Sequence, residues 1–275
     1  MESRKLSSQH LNQSTNQPIN QSTSRLLLSY ADNSLILGHR NSEWTGHGPI
    51  LEQDIAISNI ALDLIGQARH LYQYAAETLN TGGIGKEIYT EDTLAYLRDA
   101  WDFSNCLLVE QDNGDWAKTI LRQFFFSNYQ CLLYEALQKS IDEKLAAIAE
   151  KSLKETKYHL RWSSEWVIRL GDGTAESQRR IKLALDALWK FTDELFIPAD
   201  YEIKAAHAGI APELENLKPL WINRTKEIFD EAGLTIPAEK RTGLTGGKEG
   251  RHTEQLGYIL AELQFLQRAY PGCEW

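Results

Sequence analysis

Two histidines stand where a helical metal site would keep its imidazoles. His159 lies in K-E-T-K-Y-H-L-R-W and His70 in G-Q-A-R-H, each three residues after a position, Thr156 and Gln67, at which a di-iron bundle carries glutamate. Such a site draws two Glu-x-x-His pairs from two helices and one more carboxylate from each of the other two. Counting back roughly 35 residues, about the offset such helix pairs keep, reaches Asp32 from Gln67 and Arg122 from Thr156. Of the four carboxylates only Asp32 is in place, with Glu155 beside Thr156 as a displaced one. One carboxylate, two imidazoles, an amide, a hydroxyl and a fixed guanidinium cannot neutralise two ferrous ions, which want several anionic oxygens. The set could instead satisfy itself, with Arg122 paired to Asp32 or Glu155 and the remaining hydrogen bonds going to Gln67 and the histidines. Other readings stay open. Gln67 and His70 could be boundary residues of an amphipathic helix, His159 a hydrogen-bonded core histidine between tryptophans, and Arg122 a cation that snorkels to water. A shifted metal set of His70, His159, Asp32, Asp63 and Glu155 is the opposing reading.

The elements that must position these residues are helical throughout. At 100° per residue Ile148, His159, Trp162, Ser163, Trp166 and Leu170 share one side of a helix expected over 142–170. The periodicity predicts further helices over 25–43, 49–79, 91–110, 115–139 and 176–196. Leu94, Leu97, Trp101 and Leu108 are expected inward on the third of them. On the second, Asn59, Asp63, Gln67, His70 and Tyr74 line one edge beside an apolar arc, and spacing alone leaves open whether that edge is buried. Two pairs of long helices joined by roughly 35 residues give an all-α, ferritin-like four-helix bundle with a long crossover. Beyond 197, prolines fragment the pattern, leaving helices over 219–232 and 253–269 as a C-terminal helical extension packed on the bundle. Between those two, R-T-G-L-T-G-G-K-E-G-R-H-T-E reads as a solvated docking loop or as a phosphate cradle at a helix start, with Lys248, Arg251 and His252 as its cations. Residues 1–24 are rich in Asn, Gln, Ser and Thr and are expected as a disordered tail.

The formal charge of −9 disfavours nucleic acid or an anionic membrane as the main partner, because phosphate binding relies on excess Lys and Arg. No apolar run approaches the ~20 residues that span a bilayer. Three cysteines form neither a disulfide framework nor a C-x-x-C pair, so a reducing cytoplasm is expected.

The long stretches L-I-L-G-H-R-N-S-E-W-T-G-H-G-P-I-L-E-Q-D-I-A, N-I-A-L-D-L-I-G-Q-A-R-H, L-L-V-E-Q-D-N-G-D-W-A-K-T-I-L-R-Q-F-F-F, K-E-T-K-Y-H-L-R-W-S-S-E-W-V-I-R-L-G-D-G-T, L-W-K-F-T-D-E-L-F and T-G-G-K-E-G-R-H-T-E-Q-L-G resemble the PaaC-type subunits of the bacterial phenylacetyl-CoA 1,2-epoxidase, from about Leu26 to Trp275. The resemblance implies a structural, non-catalytic member of a multicomponent monooxygenase in aerobic phenylacetate degradation. It would carry no cofactor of its own and would pair with a catalytic subunit holding the di-iron centre. A reductase with FAD and iron–sulfur would supply electrons, and other epoxidase subunits would complete the assembly. Contact with phenylacetyl-CoA at the subunit interface is a further implication. His70 and His159 match the family's histidine places, while Asp32, Gln67, Arg122 and Thr156 stand where carboxylates would be needed.

Overall fold

The computed structural model describes residues 6–81, 88–237 and 243–273, with side chains from residue 21 onward. Four long helices carry the bundle: α1 (Leu6–Ser42), α2 (Leu51–Thr81), and later α5 (Trp116–Leu137) and α6 (Glu143–Gly171). Among the described residues there is no strand. The helix starts follow local chemistry, since the side chains of Asp115 and Asp142 accept hydrogen bonds from Lys118 N and Leu145 N, the donors a first turn leaves over. The pair α1–α2 and the pair α5–α6 pack closely, and the described segment 88–115 runs between the two pairs, which is the ferritin-like arrangement. α1 continues back to Leu6, through residues expected to be disordered, and Thr23 and Ser24 are buried. A helix already nucleated gains one hydrogen bond per added residue, so composition alone does not end it. The first five residues and the glycines 82–83, expected to stop the second helix, lie outside the described residues.

The helix expected over 91–110 is not continuous. It resolves into α3 (Glu91–Tyr96), a 3₁₀ turn at Ala100–Asp102, and α4 (Leu107–Glu110). Leu94 and Leu108 are buried as expected, but Leu97 and Trp101 are 53% and 79% exposed. The reason lies at the far end of the chain. The backbone carbonyls that a helix would have used internally are taken by Gln264, whose amide donates to Ala95 O and Arg98 O, and by Arg268, which donates to Leu97 O and Arg98 O. The helix expected over 176–196 likewise ends early: α7 (Ala175–Leu188) gives way to two 3₁₀ turns, Trp189–Phe191 and Asp193–Phe196, that turn Glu194 inward.

The C-terminal part consists of α8 (Asp200–His207), α9 (Lys218–Glu231), α10 (Glu254–Leu263) and α11 (Phe265–Ala269). It shares one apolar core with the bundle. Trp221 is buried with its indole N–H donating 3.0 Å to Phe125 O, and its ring meets Phe125, Trp189 and Phe196. At one end of the bundle, Trp116 takes edge-on contacts from Trp44, Trp162 and Trp166 at 5.1–5.9 Å. The Gln53 side-chain oxygen accepts from both Trp162 and Trp166 (3.0 and 2.7 Å). Residues from α2, α5 and α6, together with Trp44 of the turn that follows α1, therefore close that end.

Gly250 sits at φ +82°, and a Cβ there would stand 2.4 Å from Trp101 O. Gly250→Ala should lower the denaturant midpoint by an amount equivalent to roughly 1–3 kcal/mol. Gly257→Ala, in α10 with open space around it, should instead be neutral or stabilising by up to ~1 kcal/mol.

Candidate functional site

The polar edge of α2 is a seam against α6. Asp63 meets His159 (Oδ2 to Nε2, 3.0 Å), Gln67 donates to Glu155 Oε2 (2.9 Å), His70 lies 2.7 Å from Lys151 Nζ, and Tyr74 donates to Asp142 Oδ2 (2.7 Å). The pairs descend one helix as they ascend the other, as antiparallel neighbours require. From Asp63 to Tyr74 that edge is therefore not a wet border, since its side chains lie partly or wholly buried between two helices, whereas Asn59 at its start is exposed. Burial, then the hydrogen bond and charge of Asp142, push the Tyr74 hydroxyl well above the ordinary phenol value.

At the Gln67 level all four long helices contribute. Gln130 of α5 donates to Gln67 Oε1 (3.1 Å), to Ser34 Oγ of α1 (3.3 Å) and to the Tyr134 hydroxyl (3.2 Å), and Tyr134 lies 3.4 Å from Gln67 Oε1. Burial pushes the Tyr134 hydroxyl up to about 12, so it stays a neutral donor. The set is two amides, two hydroxyls and the single carboxylate of Glu155. Among the described residues no three or more His, Cys, Asp or Glu side chains are grouped to hold a metal ion. This donor set does not fit a pair of ferrous ions, which would stand among neutral groups with one negative charge.

The other expected members lie apart from that level. Asp32 is wholly buried and accepts four hydrogen bonds: Tyr72 hydroxyl (2.5 Å), Ser104 N (2.8 Å), Arg98 Nη1 (3.2 Å) and Arg98 Nη2. Arg98 also lies 4.2 Å from the Phe103 ring centroid. Burial works against its charge, but Asp32 holds it more firmly protonated than in water. Burial and the Asp32 charge push the Tyr72 hydroxyl up, which keeps it a donor.

Arg122, expected to pair with Asp32 or Glu155, pairs with neither. Its guanidinium donates to Gln111 O and to Asn113 Oδ1 (the latter 2.5 Å), and its Nε has no partner. Nor does it snorkel, since it is wholly buried. Burial, with Arg40 adding like charge, pushes it down to about 9. The turn 111–113 offers neutral oxygens within reach, and a helix period fixes a face without fixing which neighbour that face meets.

His159 is buried with Asp63 on Nε2 and nothing on Nδ1, so it is a core histidine tied to a rim carboxylate. Thr156 turns its hydroxyl back to Ser152 O (2.9 Å). The shifted metal set is not brought together, because Asp32 belongs to Arg98 while Asp63, His159, Glu155 and His70 are spread along the seam.

The glycine-rich segment is neither a solvated loop nor a phosphate cradle in its central residues. Gly246 N and Gly247 N donate to Glu194 Oε1 (2.7 and 2.8 Å), with Leu107 N on Oε2 (2.6 Å). Lys248 is 5% exposed and gives its ammonium to Glu202 (3.0 and 3.2 Å) and to Ile197 O (3.1 Å). His252 lies between Glu110 and Phe103 O. Of the three expected cations only Arg251 faces solvent, beside Glu249. A buried lysine already matched to a carboxylate has no charge left for a phosphate. The start of the expected loop, Arg241 and Thr242, lies outside the described residues.

The residues missed from sequence are the partners: Arg98, Tyr72, Ser34, Gln130, Tyr134, Glu110, Glu194 and Glu202. A buried-face glutamate or arginine within an otherwise apolar stripe is the signal that could have pointed to some of them.

Arg98→Met should destabilise by about 3–5 kcal/mol, since it leaves a buried carboxylate without its cation. The double variant with Asp32→Asn should lose clearly less than the sum of the two single losses, as read in a double-mutant cycle by denaturant unfolding.

Comparison with known proteins agrees with this structure. The chain matches, over residues 7–275, the model of a family described as phenylacetic acid catabolic protein. It is 46% identical over 248 residues to a subunit of the 1,2-phenylacetyl-CoA epoxidase of Escherichia coli (strain K12), covering 90% of this chain and 97% of that relative. With a similarity of that extent and a helical bundle of the expected layout, the chain belongs to the phenylacetic acid catabolic protein family.

Proposed function

We propose that this chain is a structural, non-catalytic subunit of a phenylacetyl-CoA 1,2-epoxidase, pairing with and stabilising the subunit that carries the di-iron centre. The observation that carries this reading is the interior at the Gln67 level. There Ser34, Gln67, Gln130, Tyr134 and Glu155 bond to one another where a metal-bearing bundle would array carboxylates. Electrons from a flavin and iron–sulfur reductase would then be used in the partner, and this chain would take no cofactor.

A face for that partner is available on α2. Leu51, Ile55, Leu62 and Ile65 recur at helical spacing and are 70%, 52%, 66% and 39% exposed, with Ile50 just before them also exposed. A stripe of large apolar side chains on one helix is more than an isolated bundle needs to leave in water. Two bundles of similar layout can meet about a pseudo-twofold axis, each bracing the helices of the other.

Protein expressed alone in iron-rich medium should contain far less than one iron per chain by metal analysis; about two would overturn the proposal. The pair Ile55→Glu and Leu62→Glu should abolish co-purification with the catalytic subunit while leaving the circular dichroism and unfolding midpoint of the isolated chain unchanged. Retained co-purification would remove α2 from the interface.

A further inference from the structure

We propose that the side chain of His252, held doubly protonated between two hydrogen-bond acceptors, is a pH-sensitive bolt fastening α10 and α11 to the crossover segment. Its Nε2 lies 3.0 Å from Phe103 O, and a carbonyl oxygen only accepts, so Nε2 carries a proton. Its Nδ1 lies 2.8 Å from Glu110 Oε2. That carboxylate also accepts from Asn105 Nδ2 (2.9 Å), Thr253 N (2.7 Å) and Thr253 Oγ1 (2.8 Å). Three donors besides the ring, aimed at one wholly buried carboxyl group, are already the surroundings of a carboxylate, which only accepts, so Nδ1 carries a proton as well.

The charges around the ring support the same state. Glu110 of α4 is in contact and Asp32 of α1 adds a second negative field. The nearby cations are engaged elsewhere: Arg98, stacked on Phe103, is held by Asp32, and Arg40, bonded to Glu110 O at 3.0 and 3.2 Å, is held by Glu43. Burial lowers the proton affinity of the ring, but the hydrogen bond and charge of Glu110 outweigh it, and His252 stands above the ordinary histidine value.

Loss of one proton leaves a buried acceptor without its donor just before α10 begins. Beyond that point the C-terminal helices hold the crossover through the Gln264 and Arg268 bonds to the carbonyls of 95–98, through the Arg268–Asp99 pair, and through the packing of α10, whose Leu256 and Ile259 are buried, against α4 and the turn at 100–102. Because the folded value is raised, the contribution of His252 is complete below the free histidine value near about 6.5 and is lost as pH rises through the folded value.

The test is ring nitrogen NMR of His252 together with amide hydrogen exchange over 254–269, on the full chain between about pH 6 and 9, corrected for intrinsic exchange. Both ring nitrogens should be protonated at the acid end. Protection of α10 and α11 should fall as the ring deprotonates, by about tenfold for each unit by which the folded value exceeds the free one. His252→Gln, which keeps a donor and has no charge to lose, should show protection independent of pH. A neutral ring at the acid end, protection unaltered across the titration, or a wild-type pH response in His252→Gln would each overturn the proposal.

Discussion

A carboxylate sealed from water has to be matched donor for donor, and Asp32 is where this chain meets that demand. Its four hydrogen bonds come from α2 through Tyr72 and from the crossover through Arg98 and the Ser104 amide. Leaving such a charge without its cation costs about 3–5 kcal/mol, a large part of the 5–15 kcal/mol by which a typical domain is stable. The crossover is therefore obliged to run beside α1. Ser29 and Asn33, one turn before and one residue after Asp32, bind Ser104 O and Cys106 N and continue the seam. The same constraint reaches the C-terminus, because the carbonyls that Arg98 and its neighbours expose in leaving helical geometry are taken by Gln264 and Arg268.

The bundle thus holds its polar groups in separate compartments, each satisfied by donors close at hand. Asp32 and Arg98 balance one another near one end, the α2–α6 seam runs along the side, and Glu110, Glu194 and Glu202 each collect donors from residues 246–253. A centre for two metal ions needs the opposite arrangement, its anions converged on a single point. Arg122 is the exception, a buried cation that rests on neutral oxygens with no carboxylate in contact.

The fold was largely legible in the sequence, because periodicity and caps are local properties. Asp115 and Asp142 announced the starts of α5 and α6, and Asp32 and His159 were placed correctly inside. What failed was what depends on distant chain. The stretch 91–110 carries a helical pattern, but its carbonyls are claimed by residues some 170 positions later, which no window of sequence contains. Arg122 was placed on the right face of its helix and given the wrong neighbour, since Gln130, two turns further on, is the α5 residue at the Gln67 level. Lys248 looked like a solvated cation in a glycine-rich loop because its partner, Glu202, sits in a different helix.

The dependence of the crossover on residues 246–269 has a consequence for synthesis. A chain emerging from the ribosome completes α1, α2, α5 and α6 well before the side chains that cap 95–98 and enclose Glu110 and Glu194 exist. Until then the irregular middle segment has no cover for its carbonyls, and the recesses around its Glu110 and around Glu194 beyond α7 are open to water. Closure of the crossover thus waits on residues 246–269, and a chain cut short before them would have its long helices formed and its middle segment unsealed.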